Sequence, residues 1–414
     1  MESGRKKIEW VSNFMPLLNY LKKEYKGVFN STKIGMAIHL EAKTAYLAIT
    51  LKELGADVFV TGCNPLSTQD DVAAALSEYG ITVHAKRTHD EKIYFNNLNK
   101  VLDHEPELIL DDGADLSVIL HTERTELLKN VKGISEETTT GVRRLLNLQE
   151  KGLLKVPVIA VNNAKMKHFF DNRYGTGQST WDSIMRNTNT LIAGKNVVVA
   201  GYGWCGRGIA MRAKGLGANV IVTEVDPIKA IEALMDGFNV MKMSEAAKIA
   251  DIVVTSTGVK DVVKYEDILN MKNGVILANA GHFNVEIPIE KIEKNAEKIF
   301  EARENVKGYI INGKKIFVIG EGRLVNLAAG DGHPIEIMDL SFALQTLSLI
   351  YIHKNYKNLE NKVYQYPEEL DEKVATLKLK SLGIEIDKLS EEQREYLKGY
   401  WYYGKNSSIK FHWR

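Results

Sequence analysis

Cysteine is scarce. The 414 residues include two, Cys63 and Cys205. They fall in different strand–helix units, so no disulfide framework is expected. Neither sign of charge is in excess, with 54 Lys and Arg against 53 Asp and Glu. A nucleic-acid partner would show as a basic excess and a solvating tail as an acidic one. No apolar run reads as long enough to span a bilayer. Met1–Trp10 carries charges where a signal peptide needs an apolar core. Internal repeats and low-complexity tracts are missing too. A cytoplasmic globular protein follows, with neither nucleic acid nor membrane as partner. Its composition, 44% hydrophobic and 26% charged, is that of a well-packed chain. Its length implies two or three domains of roughly 100–200 residues each.

Short apolar runs alternate with amphipathic stretches, the pattern of βαβ units and a parallel sheet. Residues 33–40 (KIGMAIHL) predict a strand and 44–55 (TAYLAITLKELG) a helix ending on Gly55. Further strands are expected near 57–61, 81–85, 107–111 and 156–161. A second series begins at 195–200 and continues at 219–223, 251–255, 274–278 and 315–319. Near-continuous apolar runs of this kind are buried on both faces. The Asn-, Gly- and Thr-rich stretch 162–190 between the series reads as a hinge with a linking helix. The expected fold is α/β: two Rossmann-like, doubly wound parallel-sheet domains with a helical C-terminal extension. The boundaries expected are 1–177 plus 335–367 for substrate binding and catalysis, 178–334 for the dinucleotide, and 368–414 for an oligomerisation extension.

Gly201-Tyr-Gly203-Trp-Cys-Gly206 follows a strand and opens a helix. Gly201 permits the tight turn, Gly203 lets backbone approach a pyrophosphate, and Gly206 allows close helix–strand packing. The helix N-terminus supplies free N–H groups and a positive dipole end. Glu224 stands about 20 residues on, at the end of the next strand, where a carboxylate accepts from the ribose 2′-hydroxyl. It would repel a 2′-phosphate, so NAD is favoured over NADP. The first series has no such fingerprint and is the candidate substrate domain.

Polar groups gather at its strand ends, where ligands bind in open α/β sheets. They are His39, Cys63-Asn64, the helix start Ser67–Asp70, Asp111-Asp112, Ser135–Thr140 and Asn162-Asn163. Each has a plain structural reading. His39 fits a core histidine, Asp111-Asp112-Gly113 a turn, and Ser135–Thr138 a helix cap. Lys167 and Asp171, at i and i+4, fit a surface ion pair, although Lys before Asp is the weaker order. The clustering of so many at one domain's strand ends favours a site.

Several long strings resemble the S-adenosylhomocysteine hydrolase family: CNPLSTQDD, LILDDGADL, GISEETTTGV, FDNRYG, VVAGYGWCGRG, TEVDP, AGHFNVEI and EGRLVNL followed by GHP. The resemblance runs from about residue 30 to about 370. It implies an NAD-bearing thioether hydrolase that transiently oxidises the substrate ribose at C3′, releases homocysteine from C5′, adds water there and reduces the ketone. Carried over motif by motif, it implies that Lys167 and Asp171 face the sugar hydroxyls. Lys167 would be the base for the 3′-hydroxyl, its pKa lowered by burial. Glu137 would bind the same hydroxyls. Asp112 and His39 would handle the C4′ proton and the group at C5′, and His282 and His333 would line the pocket. Cys63 would position rather than attack. Asn162 and Asn172 would hold Lys167. Thr138, Thr139, Thr140, Asn172, Trp204, Cys205 and Asn326 would contact NAD together with the glycines and Glu224. A homotetramer is implied; no metal is.

One departure bears on the substrate. The family's adenine-reading Thr-x-Glu-Thr or Thr-x-Gln-Thr is here Glu41-Ala-Lys43-Thr44. An ammonium has donors and no acceptor. Lys43 would therefore favour the O6 of hypoxanthine over the N6 amino group of adenine, with Glu41 accepting from N1–H. The opposite assignment, in which Glu41 takes the amino hydrogens and Lys43 donates to N1, also fits, and so does a pair facing solvent. Asp331 stands where the family has an apolar residue against the purine. S-inosylhomocysteine is the expected substrate, with S-adenosylhomocysteine as the alternative. A dehydrogenase with net redox turnover and a non-catalytic NAD-binding paralogue are more distant readings. Asn284 replaces a family Asp. The C-terminus echoes the family ending only at Lys410 and His412-Trp413-Arg414.

Overall fold

A computed structural model describes residues 1–398. The aromatic segment after it, and Lys410 with His412–Arg414, lie outside the described residues.

The first six strands are β1 (Lys33–Ala37), β2 (Asp57–Thr61), β3 (Thr82–Val83), β4 (Leu108–Asp111), β5 (Gly133–Glu136) and β6 (Val158–Ala160). The next eight are β7 (Asn196–Ala200), β8 (Asn219–Thr223), β9 (Asn239–Val240), β10 (Ile252–Thr255), β11 (Val275–Asn279), β12 (Lys298–Arg303), β13 (Val306–Ile311) and β14 (Lys314–Ile319). Then β15 (Val363–Gln365) returns to the first sheet beside β6. The sheets run β15-β6-β5-β4-β1-β2-β3 and β12-β13-β14-β11-β10-β7-β8-β9. Both are doubly wound. The order reverses between β1 and β4 in one and between β7 and β10 in the other, and ligands bind at such switch points. The first sheet is parallel throughout. The second carries β12, β13 and β14 as an antiparallel edge.

Register brings the polar strand ends level. Ala37 pairs with Thr61 and Asp111, and Asp111 with Glu136. The residues that follow, His39, Asp112 and Glu137, therefore emerge at one height above the sheet. The central strands β1, β4, β7 and β10 are mostly apolar with no exposed face, as runs buried under helices on both sides require.

Helix Ile335–Asn355 crosses the core of the first lobe and is buried along most of its length. It overturns one expectation. The stretch Ile335–Asn358 is long and apolar enough to cross a membrane, but 72% of its most apolar 18-residue window is buried inside the protein, as in a core helix. Helix Glu368–Ser381 also packs back. Asp371 accepts from the Lys165 and Met166 amides at 2.7 and 2.9 Å, capping the turn that leads into Lys167.

Candidate active site

The C-terminal edges of the two sheets face one another across a cavity of ≈ 860 Å³. From the first sheet come His39, Glu41, Lys43, Thr44, Asp112, Glu137 and Thr138–Thr140. From the second come Gly201, Gly203, Trp204, Cys205, Glu224, His282 and Asn326. Lys167, Asp171 and Asn172 join them from between the sheets, and His333 from the loop before the core helix. Cys63, Gly206 and Asp331 are not part of the cavity wall.

Lys167 sits at its centre and is 4% exposed. Its ammonium donates to Asn172 Oδ1 at 2.8 Å and Asn162 Oδ1 at 3.3 Å. Glu137 and Asp171 each lie 3.7 Å away. The surface ion pair is thus excluded. Residues His168–Gly175 form a π-helix, whose wider turn brings both i+4 and i+5 within reach of Lys167.

The electrostatics correct a further expectation. Burial alone would lower the Lys167 pKa, but Asp171, Glu137 and Asp112 outweigh it and hold the ammonium above its ordinary value. The resting group is charged. Burial lifts Glu137 to about 8 against the pull of Lys167, so that carboxyl is neutral at rest. Asp171 goes the other way: Lys167 and His333 overcome its burial and keep it ionised. His333 Nδ1 lies 2.9 Å from Asp171 Oδ1.

A second cluster stands at the β1–β4 switch point. His39 Nδ1 is 2.7 Å from Ser67 Oγ, which leaves Nε2 turned to Asp112 at 3.8 Å. His282, from the other sheet, approaches the same Asp112 oxygen at 3.7 Å. Gly113 makes room for it, since a Cβ there would overlap the His282 ring. Burial keeps both imidazoles neutral, His39 down to about 3, and raises Asp112. Donor atoms of His39, Cys63 and Asp112 lie within 4.8 Å of one another. Burial and Asp112 push the Cys63 thiol well up, so it is no thiolate nucleophile.

The purine end differs from expectation in two ways. Glu41 is the N-cap of helix Ala42–Glu53. Its oxygens accept from the Lys43 and Thr44 amides, from Thr44 Oγ1 and, at 2.6 Å, from Lys43 Nζ. A carboxylate has about four lone-pair sites, so none is left over for a purine N1–H. The Asp331 carboxylate points away from the cavity, to Arg186 at 2.8 Å and Gln69 at 3.3 Å. Its backbone carbonyl accepts from Lys43 Nζ at 2.8 Å.

The dinucleotide cradle fits NAD. Gly201 has φ +95°, and a Cβ at Gly206 would overlap the Gly201 carbonyl. A Cβ at Gly203 would meet no protein atom within 4 Å. The backbone beside the N-terminus of helix Trp204–Gly215 is therefore open to a pyrophosphate. Glu224 is held by the amides of Tyr202, Val225 and Asp226 at 2.7–3.1 Å, at the tip of β8. Asn326 donates to Ser179 Oγ at 3.0 Å, while its buried Oδ1 has no partner. Thr138 caps helix Thr139–Glu150 through the Gly141 amide, and Thr139 Oγ1 accepts from Asn162 at 2.9 Å. Thr176 Oγ1 donates to Cys205 Sγ at 3.6 Å, joining the glycine loop to the hinge.

Two residues of the core helix escaped the sequence reading. Ser341 Oγ donates to Asp171 Oδ2 at 2.6 Å, and Gln345 donates to Glu137 Oε2. Their signal is a polar pair at i and i+4 inside a helix that is mostly apolar and mostly buried.

Comparison with known proteins agrees with this geometry. Residues 172–332 match the model of the S-adenosyl-L-homocysteine hydrolase NAD-binding domain, and residues 1–129 that of S-adenosyl-L-homocysteine hydrolase. An adenosylhomocysteinase from Thermotoga maritima is 65% identical over 97% of this chain and 100% of its own. An S-inosyl-L-homocysteine hydrolase from Methanocaldococcus jannaschii is 58% identical over 96% of each. An adenosylhomocysteinase from Archaeoglobus fulgidus is 56% identical over 95% of this chain and 98% of its own. The crystal structure of a dipicolinate synthase chain from Bacillus halodurans shares the fold at 16% identity, with a TM-score of 0.50 over 78% of this chain and 100% of that one. The chain is an NAD-dependent enzyme that belongs to the S-adenosyl-L-homocysteine hydrolase family.

Proposed function

We propose that the enzyme reversibly hydrolyses S-inosyl-L-homocysteine to inosine and homocysteine through a 3′-keto nucleoside. The observation that carries the substrate choice is the Lys43 ammonium, 5% exposed at the cavity wall. Two of its hydrogens go to Glu41 and the Asp331 carbonyl. The third remains for a ligand acceptor, which hypoxanthine offers at O6, whereas adenine presents an amino donor there. S-adenosyl-L-homocysteine is the second reading. Close relatives carry both names, and Lys43 would then donate to adenine N1.

NAD, when bound, supplies the oxidation at C3′ and the final reduction. Residues 178–334 are the lobe that holds it. Residues 1–177 with 335–367 bind the nucleoside, and 368–414 form the extension. Glu137 and Asp171 receive the ribose hydroxyls. Lys167 rests protonated, with Glu137 already neutral and Asp171 a poor proton acceptor, so it must release its proton to water in the cleft before it takes one from the 3′-hydroxyl. Asp112, with its raised pKa, removes the C4′ proton that the adjacent ketone acidifies. His39, neutral with Nε2 toward Asp112, and His282 move protons between that carboxyl, the departing sulfur and the incoming water. Cys63 stays neutral and positions Asp112. The functional particle is a homotetramer.

The test is thioether synthesis by the holoenzyme from homocysteine with inosine or adenosine. A kcat/KM favouring inosine by tenfold or more supports the reading. A preference for adenosine removes Lys43 as an O6 donor and leaves the thioether chemistry in place. Steady release of reduced cofactor would instead indicate a dehydrogenase.

A further inference from the structure

We infer that Glu136, which lines no part of the cavity, is a positioning residue that clamps together the two turns carrying Asp112 and Glu137. Glu136 is fully buried at the end of β5. Its Oε1 accepts from the Gly113 amide at 2.9 Å, beside Asp112 at the end of β4. The same oxygen accepts from Thr138 N and Thr138 Oγ1, both at 2.9 Å, beside Glu137. One atom thus ties the turn that presents the C4′ base to the turn that presents the sugar-binding acid and begins the threonine run.

The surroundings are built for it. A Cβ at Gly141 would overlap the Glu136 carboxyl, so the helix that Thr138 caps starts with the space this group needs. Gly113 is held from its other side, where its carbonyl accepts from Arg144 Nη1 at 2.6 Å. The residues at 113 and 114 have φ of +94° and +65°, a left-handed turn that needs such fixing to hold one shape. Glu136 Oε2 is buried with no partner. Burial, with Asp111 and Asp112 beside it, pushes this carboxyl well above the usual range, so it is a neutral acid whose carbonyl oxygen does the accepting. An amide reproduces that; a shorter acid does not reach.

The mechanistic roles of Asp112 and Glu137 rest on the proposed function, but the clamp is read independently of it. Glu136→Gln keeps the length and the acceptor; Glu136→Asp keeps the acid and loses a methylene. In the holoenzyme, Glu136→Gln is expected to retain kcat within about threefold, with an unchanged pH profile. Glu136→Asp is expected to lose about 100-fold in kcat at nearly constant KM, the scale of an ångström of misplacement. Amide hydrogen exchange at Gly113 and Thr138 should accelerate at least tenfold in the Asp variant and stay slow in the Gln variant. Should the Asp variant not fold, Glu136→Met takes its place, with the same loss expected. An active Asp variant beside an inactive Gln variant, two active variants, two inactive ones, or a shifted limb of the Gln pH profile would each overturn the clamp. A wild-type enzyme inactive on every nucleoside removes the proposed function, while the exchange rates still decide the clamp.

Discussion

Lys43 concentrates the substrate question in one ammonium with one uncommitted hydrogen. Lys43→Gln replaces a pure donor with a group that also accepts, without setting a second carboxylate against Glu41. The inosine-to-adenosine ratio of kcat/KM should fall by about 10- to 100-fold, the scale of a buried polar group left unpaired, roughly 1–3 kcal/mol. An unchanged ratio in steady-state synthesis assays would remove Lys43 from base reading. The titrating groups make a second prediction, with opposite signs on two limbs. Glu137 is raised from 4.5 to about 8, so the folded protein keeps a proton that the unfolded chain has lost. Its contribution to stability is complete below 4.5 and disappears as pH rises through about 8. His39, lowered from 6.5 to about 3 chiefly by burial, works on the acid side. There the unfolded chain takes up a proton the folded one refuses, and stability falls as pH drops from 6.5 toward 3. Urea unfolding of the apoenzyme across this range should show Glu137→Gln flattening the alkaline limb and His39→Asn the acid limb. An effect on the wrong limb would mean the assigned protonation states are reversed.

Helix contacts carry the site as much as the side chains do. The N-terminal half of helix Trp204–Gly215 packs against the π-helix that holds Asp171 and Asn172, and a Cβ at Gly208 would overlap the Arg173 carbonyl. Gly208→Ala should therefore destabilise the enzyme by about 1–3 kcal/mol and lower kcat by displacing that turn. Gly215→Ala, at the other end of the same helix with nothing within 4 Å of its Cβ, should be neutral or slightly stabilising. Thermal melts and kcat on both variants check the pair, and equal effects would separate the packing from the site. The same contrast explains what was legible in the sequence. Apolar runs marked the parallel strands, and the glycine spacing with Glu224 marked the cradle, because both are local signals. The hairpin β12–β13 was missed because its outer strand β12 is largely exposed and mostly polar (KIFEAR) and its partner β13 is interrupted by Lys307 and Gly308. Strand β5 was hidden because its polar end is buried by long-range bonds, Ser135 to Gln345 and Ser348. Ser341, Gln345 and Glu136 act across the fold. Glu41 and Lys167 were misjudged for one reason. The sequence names a charged group, but only the packing tells how many partners already hold it.

At the scale of the whole molecule, the two lobes line the cleft between them, and one outer face has no cover among the described residues. Helix Pro227–Met235 shows Ile228 at 77%, Ile231 at 56%, Leu234 at 57% and Met235 at 78% exposure. The spacing makes one apolar stripe along a helix whose only buried residue is Ala233. Stripes of that kind on a folded protein mark contact surfaces. This helix begins just after Glu224, so a partner seated on it would lie against the adenosine end of the cradle. Oligomerisation and cofactor retention are then coupled, since whatever binds only the assembled form stabilises it by mass action. Sedimentation of the wild-type holoenzyme should give four chains per particle. The double variant Ile228→Glu, Met235→Glu should give smaller particles and weaken NAD binding by about tenfold or more, since like charges set into an apolar contact cost several kcal/mol. Tetramers with unaltered NAD affinity in that variant would place the contact on another face. A wild type that sediments as single chains would remove the assembly altogether and leave each cleft to work alone.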